Sequence, residues 1–224
     1  MNKILISSIS LMFLLAWWSS LTIGLSSDEY FHHINGMLRY KYLISLGEFD
    51  GYQFRNNQFY PGLYDTISYA LGQIILIIDK KFYANNIDFV MHLVNVFFSS
   101  LSILGLYILV KNIFNKNIAI LASLITLLNP FFFGHMGMNS KDVIIFFSLI
   151  WFCYYFYLYC TEDKKVIKNL LLTSFFIGFG CGVRLTFLVV IFPVIICGIV
   201  FLFNKYKSKY GQLFKRLITH FFIV

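Results

Sequence analysis

Directly after Met1-Asn2-Lys3, residues 4 to 25 run without a charged side chain, about the 20 residues needed to cross a bilayer. A cleaved leader has a shorter apolar stretch, about 7 to 15 residues, and an A-x-A-like site. Neither feature is seen, so the run reads as an uncleaved anchor. Further apolar runs at 89–110, 118–133 and 143–160 predict spans, and a tract at 170–203 is too long for one helix. Glycines and Arg184 interrupt that tract. Residues 61–78 are apolar but carry Asp65, Ser68, Gly72 and Gln73, which suits either a span or a helix lying at the membrane surface.

Positive charge decides between these threadings, because cytoplasmic loops collect Lys and Arg. If 170–203 crosses twice, turning near Arg184, then Lys3, Lys111, Lys116, Lys164, Lys165, Lys168, Lys205, Lys207, Lys209, Lys215 and Arg216 lie inside, 11 of 18 basic residues. A single crossing leaves 6 inside, and counting 61–78 as a span leaves 5. The expected architecture is therefore an all-α polytopic membrane protein with about six transmembrane helices. The first span (1–25) is followed by a large outer loop (26–88) bearing interfacial helices, and five further spans with their loops occupy 89–216. Eight of the ten acidic residues fall outside; Glu162 and Asp163 do not. The apolar run Leu217–Val224 begins a span that the sequence does not complete, and 1–224 reads as the N-terminal part of one membrane domain.

Composition agrees. Of 224 residues, 59% are hydrophobic and only 12% charged, about half the charge of a soluble domain. The formal charge of +8 follows from the loop asymmetry, so nucleic acid is not an expected partner. Cys153, Cys160, Cys181 and Cys197 lie in or beside apolar runs with no metal-ligand spacing and read as small core residues.

Candidate chemistry concentrates outside. In SSDEYFHHINGMLRYKYLISLGEFDG, Ser27 can cap a helix, Asp28 and Glu29 suit its first turn, and Gly47 can end it. Asp28, His32, Asn35 and Arg39 recur at helical spacing on one face, with Tyr30, Phe31, Ile34, Met37 and Leu38 opposite. The plainer alternative is a solvated polar face. At LNPFFFGHMGMNSKD, Pro130 helps end the third span and Ser140 can cap the fourth, which leaves Asp142 in its first turn at the same membrane face as Asp28. A cap acid is the plainer reading of Asp142; two converging carboxylates are what a transferase needs to deprotonate an acceptor and organise a phosphate, sugar or metal. Lys141 and His135 are weaker candidates. Arg184 in GFGCGVRLTF, placed at the outer turn, can hold a lipid phosphate through bidentate hydrogen bonds or snorkel to the interface. The adjacent Gly178, Gly180 and Gly182 favour close helix packing.

The order of these segments, an anchor, then SSDEYFHHINGML, YPGLY, NPFFFGHMGMNSKD and GFGCGVRLT, resembles membrane glycosyltransferases of the C superfamily. The protein O-mannosyltransferase-like and lipid A aminoarabinose transferase-like groups are the most similar. The resemblance covers the N-terminal half of a typical member. It implies transfer of a hexose from a polyprenyl-phosphate-linked donor to a protein or glycolipid acceptor, with inversion, at the outer face of a bacterial inner or plasma membrane. It further implies Asp28 as general base with Glu29 as alternate or support, and Asp142 matches the family's acid after the third span. Read beside it, His32, Asn35, Arg39, Lys41, Tyr60, Lys141, Asp142 and Arg184 are the expected substrate contacts. A divalent metal near Asp28 and Asp142 is left open, with no cofactor otherwise required. A transporter of a lipid or polar solute, or an inactive truncated relative, is the competing reading.

Overall fold

The computed structural model describes residues 3–24, 26, 28–49, 60–85, 87–207 and 211, and among these the only regular structure is helical. In chain order the helices are α1 (Lys3–Thr22), α2 (Glu29–Ile44), α3 (Leu63–Ile78), α4 (Lys80–Asn85), α5 (Ile87–Ile113), α6 (Lys116–Leu128), α7 (Pro130–Met138), α8 (Asp142–Thr161), α9 (Val166–Val183) and α10 (Phe187–Lys205). The proposed cap Ser27, the basic residues Lys209, Lys215 and Arg216, and the run Leu217–Val224 lie outside the described residues.

Four helices, α5, α8, α9 and α10, are long and apolar enough to cross a membrane, and the bent pair α6–α7 makes a fifth candidate. The chain is an integral multi-pass membrane protein. α1 has 20 residues, of which Ser10–Thr22 forms the described apolar stretch. α3 has 16, about 24 Å at 1.5 Å per residue, short of a roughly 30 Å hydrocarbon core. That length suits the surface helix expected at 61–78.

The run 118–133 is not one straight helix. It breaks between Leu128 and Pro130 and turns by 69°. Proline has no N–H to continue the ladder and pushes the residue before it toward extended backbone; Asn129 duly sits at φ −64°, ψ 117°. The Asn129 side chain then restarts the chain as α7 by accepting from the N–H groups of Phe131 and Phe132, at 2.9 and 3.4 Å.

The tract 170–203 forms two helices, each long and apolar enough to cross a membrane. Arg184 leaves the helix with extended backbone, φ −151° and ψ 128°, and α10 begins three residues later. Arg184 meets Asp142 at the start of α8, whereas Lys205 at the end of α10 meets Thr161 at the end of α8. Hence α9 and α10 run antiparallel, as the charge pattern requires.

Lipid tails are as apolar as leucine, so helices in a membrane associate through close packing and buried polar contacts rather than by escaping water. The main core is aromatic: Phe147, Phe152, Phe156, Tyr159, Phe176 and Phe187 join α8, α9 and α10. Tyr64, Met91, Val94, Ile144 and Val183 seat α3 on α5, α8 and α9. Polar bonds hold the bent pair: Asn95 donates to the Gly137 carbonyl at 2.8 Å and Ser99 to that of Met136 at 3.0 Å. A Cβ on Gly137 would run into Ser20 of α1. Gly180 and Gly182 are likewise approached closely, by Phe187 and Leu63, but Gly178 has open space beside it and plays no part in packing.

Candidate functional site

The entry to α2, the α7–α8 junction and the end of α9 meet around a cavity of about 250 Å³. Asp28, His32, Lys141, Asp142 and Arg184 border it, together with His135 and Asn139. Two segments separated by more than a hundred residues thus bring Asp28 and Asp142 to one space.

α2 starts because Asp28 and Glu29 occupy its positive end, where carboxylates are favoured. Past Ile44 the chain turns through Leu46 and Gly47 at φ 52° and 93°; Gly47, free of a Cβ, takes the left-handed conformation while its N–H bonds the Tyr42 carbonyl at 2.9 Å. The neighbouring acids have different fates. Asp28 is exposed to the cavity and makes no cap bond. Glu29 is fully buried: one oxygen accepts from the N–H of Ser26 at 2.7 Å and the other lies 2.8 Å from Nε2 of His92 on α5. Glu29 therefore anchors α2 to the bundle.

Beyond Asp28, the polar face of α2 turns inward. His32 and Asn35 are buried against α3, where both meet Asp65: Nδ1 of His32 is 2.9 Å from one carboxylate oxygen, and the Asn35 amide donates to the other. Arg39 donates to Asn35 at 3.3 Å and to the Tyr60 carbonyl. Burial lowers its pKa and the Asp65 charge opposes that fall. The Tyr60 ring lies under the Lys141 ammonium, 4.2 Å away. Asn35, Arg39 and Tyr60 thus form a supporting layer behind the cavity wall. Lys41 reaches neither, with its ammonium 5.9 Å from the Phe49 ring.

At the α7–α8 junction the capping residue is Asn139, not Ser140. Its Oδ1 accepts from the N–H groups of Asp142 and Lys141 at 3.0 and 3.3 Å, and its Nδ2 donates to the Asp142 carboxylate at 3.0 Å. Ser140 is buried. A serine two residues before α8 lies nearer in sequence, but the longer amide serves both backbone and side chain. The other Asp142 oxygen pairs with Arg184 at 3.0 Å.

Both Asp142 oxygens are thereby engaged, and among the described residues no group of three or more His, Cys, Asp or Glu side chains could hold a metal ion. Among the described residues these groups do not fit a metal site.

Sequence reasoning missed Asp65, His92 and Asn139. The signal for His92 was present: His92, Asn95, Ser99 and Ser102 recur at spacings of three and four along an otherwise apolar span, and all are buried. Such a stripe on a membrane helix marks the side that meets other helices.

Residues 76–224 match the dolichyl-phosphate-mannose-protein mannosyltransferase family. The chain belongs to that family. It is accordingly a membrane glycosyltransferase of the mannosyltransferase-like kind. The match takes in Asp142 and Arg184 but begins after α2, so Asp28, Glu29 and His32 are placed by geometry and not by the family match. No curated protein and no solved structure matches the chain.

Proposed function

We propose that the cavity is the transfer site, in which Asp28 takes the proton of an acceptor hydroxyl as its oxygen attacks the anomeric carbon of a polyprenyl-phosphate-linked mannose. The new C–O bond forms as the bond to the lipid phosphate breaks, on opposite faces of the sugar, with inversion. The lipid phosphate is an adequate leaving group without a protein acid. Arg184 meets its developing charge through guanidinium hydrogen bonds. The acceptor is a protein or a glycolipid hydroxyl. The observation that carries this reading is the exposure of Asp28 to the same cavity as the Arg184–Asp142 pair.

Sidedness follows from charge. Lys164, Lys165, Lys168, Lys205 and Lys207 all lie at the far end of α8, α9 and α10, the pattern of a cytoplasmic face, so the cavity opens outward. The test is transfer from polyprenyl-phosphate mannose by the full chain in detergent, with the product's anomeric configuration read by NMR. Inversion relative to the donor is expected; retention would sink the single-displacement mechanism.

A further inference from the structure

α2 carries two consecutive histidines that the fold treats differently. His33 packs on the Tyr69 ring at 5.3 Å, away from the cavity, and burial lowers its pKa. His32 is 2% exposed, yet it borders the cavity. Its Nδ1 is held by Asp65, whose second oxygen is held by Asn35, which in turn accepts from Arg39. Tight backbone contact fixes this alignment, because a Cβ on Gly36 would meet the Asp65 carbonyl. An ionised carboxylate only accepts hydrogen bonds, so Asp65 retains a proton on Nδ1 and leaves the far edge of the ring for the cavity.

We propose that Asp65 is a positioning residue that fixes His32 with Nε2 unprotonated, so that Nε2 accepts a hydrogen bond from one ring hydroxyl of the donor sugar. The inference rests on the reading of the cavity as the sugar-transfer site and adds how that site recognises the sugar. A hexose presents several O–H donors. Lys141 and Arg184 can only donate, Asp142 is engaged with Arg184 and Asn139, and Asp28 is committed to the acceptor's proton. Ser26, His135, Asn139 and Ser140 also border the cavity, but Oδ1 of Asn139 is taken by the N–H groups of Lys141 and Asp142 and its amide meets Nδ1 of His135. The His32 imidazole is the neutral acceptor whose orientation a buried carboxylate fixes.

Two measurements on the full chain in detergent test this. Ring-nitrogen NMR shifts of ¹⁵N-histidine protein, assigned with His32→Ala, should show Nδ1 protonated and Nε2 bare; Asp65→Asn, whose amide can donate, should change that tautomer. Affinity for polyprenyl-phosphate mannose and its monodeoxy analogues should then show one deoxy position binding about tenfold more weakly than mannose. That preference should vanish in both Asp65→Asn and His32→Ala. A proton on Nε2 in the wild type overturns the proposal, as does either variant keeping every preference. Donor affinity, unlike turnover, separates this failure from failure of Asp28 as the base.

Discussion

Two ion pairs of the same length sit at opposite ends of the α8–α10 unit. Arg184 meets Asp142 at 3.0 Å beside the cavity, and Lys205 meets Asp163 at 3.0 Å at the other end. Their surroundings differ. The Lys205 ammonium has three donors, and it also reaches the carbonyls of Cys160 and Thr161 at 3.3 and 2.8 Å. It closes the C-terminus of α8, where a cation is favoured, and Asp163 takes a further bond from the Tyr206 hydroxyl at 2.6 Å. Arg184 has five N–H donors, and among the described residues its side chain bonds Asp142 alone. One pair is saturated and the other has donors to spare. Geometry alone would rank them equal; spare capacity next to an open carboxylate is what distinguishes a ligand site from a helix cap.

Breaking the comparison at its strongest point means removing the open carboxylate. Asp28→Asn should cost transfer about 100- to 10,000-fold, the usual loss of a positioned base, with donor affinity retained; Asp163→Asn at the far end should leave turnover unchanged. Normal turnover in Asp28→Asn would remove the base assignment. Next in size is Glu29→Ala, which strips the buried partner from His92 and should destabilise the fold by about 3–5 kcal/mol, read as a lower thermal midpoint in detergent. Glu29→Gln keeps an acceptor for the Ser26 N–H and should lose much less; equal losses would refute an anchoring role.

Arg184→Ala should weaken donor binding by about tenfold or more, as expected for charge-assisted hydrogen bonds worth roughly 1.5–3 kcal/mol. Unchanged affinity would show that its spare donors serve no phosphate. Gly36→Ala, which drives a methyl into the α3 backbone, should cost about 1–3 kcal/mol, whereas Gly178→Ala, with nothing within 4 Å, should cost no stability. Among the ion-pair variants the smallest effect belongs to Lys205→Ala: a partly exposed pair contributes about 0–1 kcal/mol, and donor affinity should not move. A donor-binding defect there would erase the contrast between the two ends.

Much of this architecture was legible in the chain. Of about six spans read from the apolar runs, four recur as helices long enough to cross and the bent pair adds a fifth candidate; the basic residues favoured two helices over one in 170–203, and helical spacing put Asp28, His32, Asn35 and Arg39 on one face of α2. The common depth of Asp28 and Asp142 followed from their positions at span junctions, because helices crossing one membrane must bring alternate ends to a common plane; the resemblance supplied their pairing. What the sequence did not contain was rotation. Asp28 and Glu29 are neighbours about 100° apart on a helix, and which one opens to the cavity depends on His92, 63 positions away. Asp65 stood only among the polar residues of an ambiguous apolar run, but became the partner of His32 and Asn35 once Gly36 let α3 approach. Local spacing fixes which side chains share a face. The direction of that face is set by the summed packing of every helix it touches, and that sum exists only in the folded bundle.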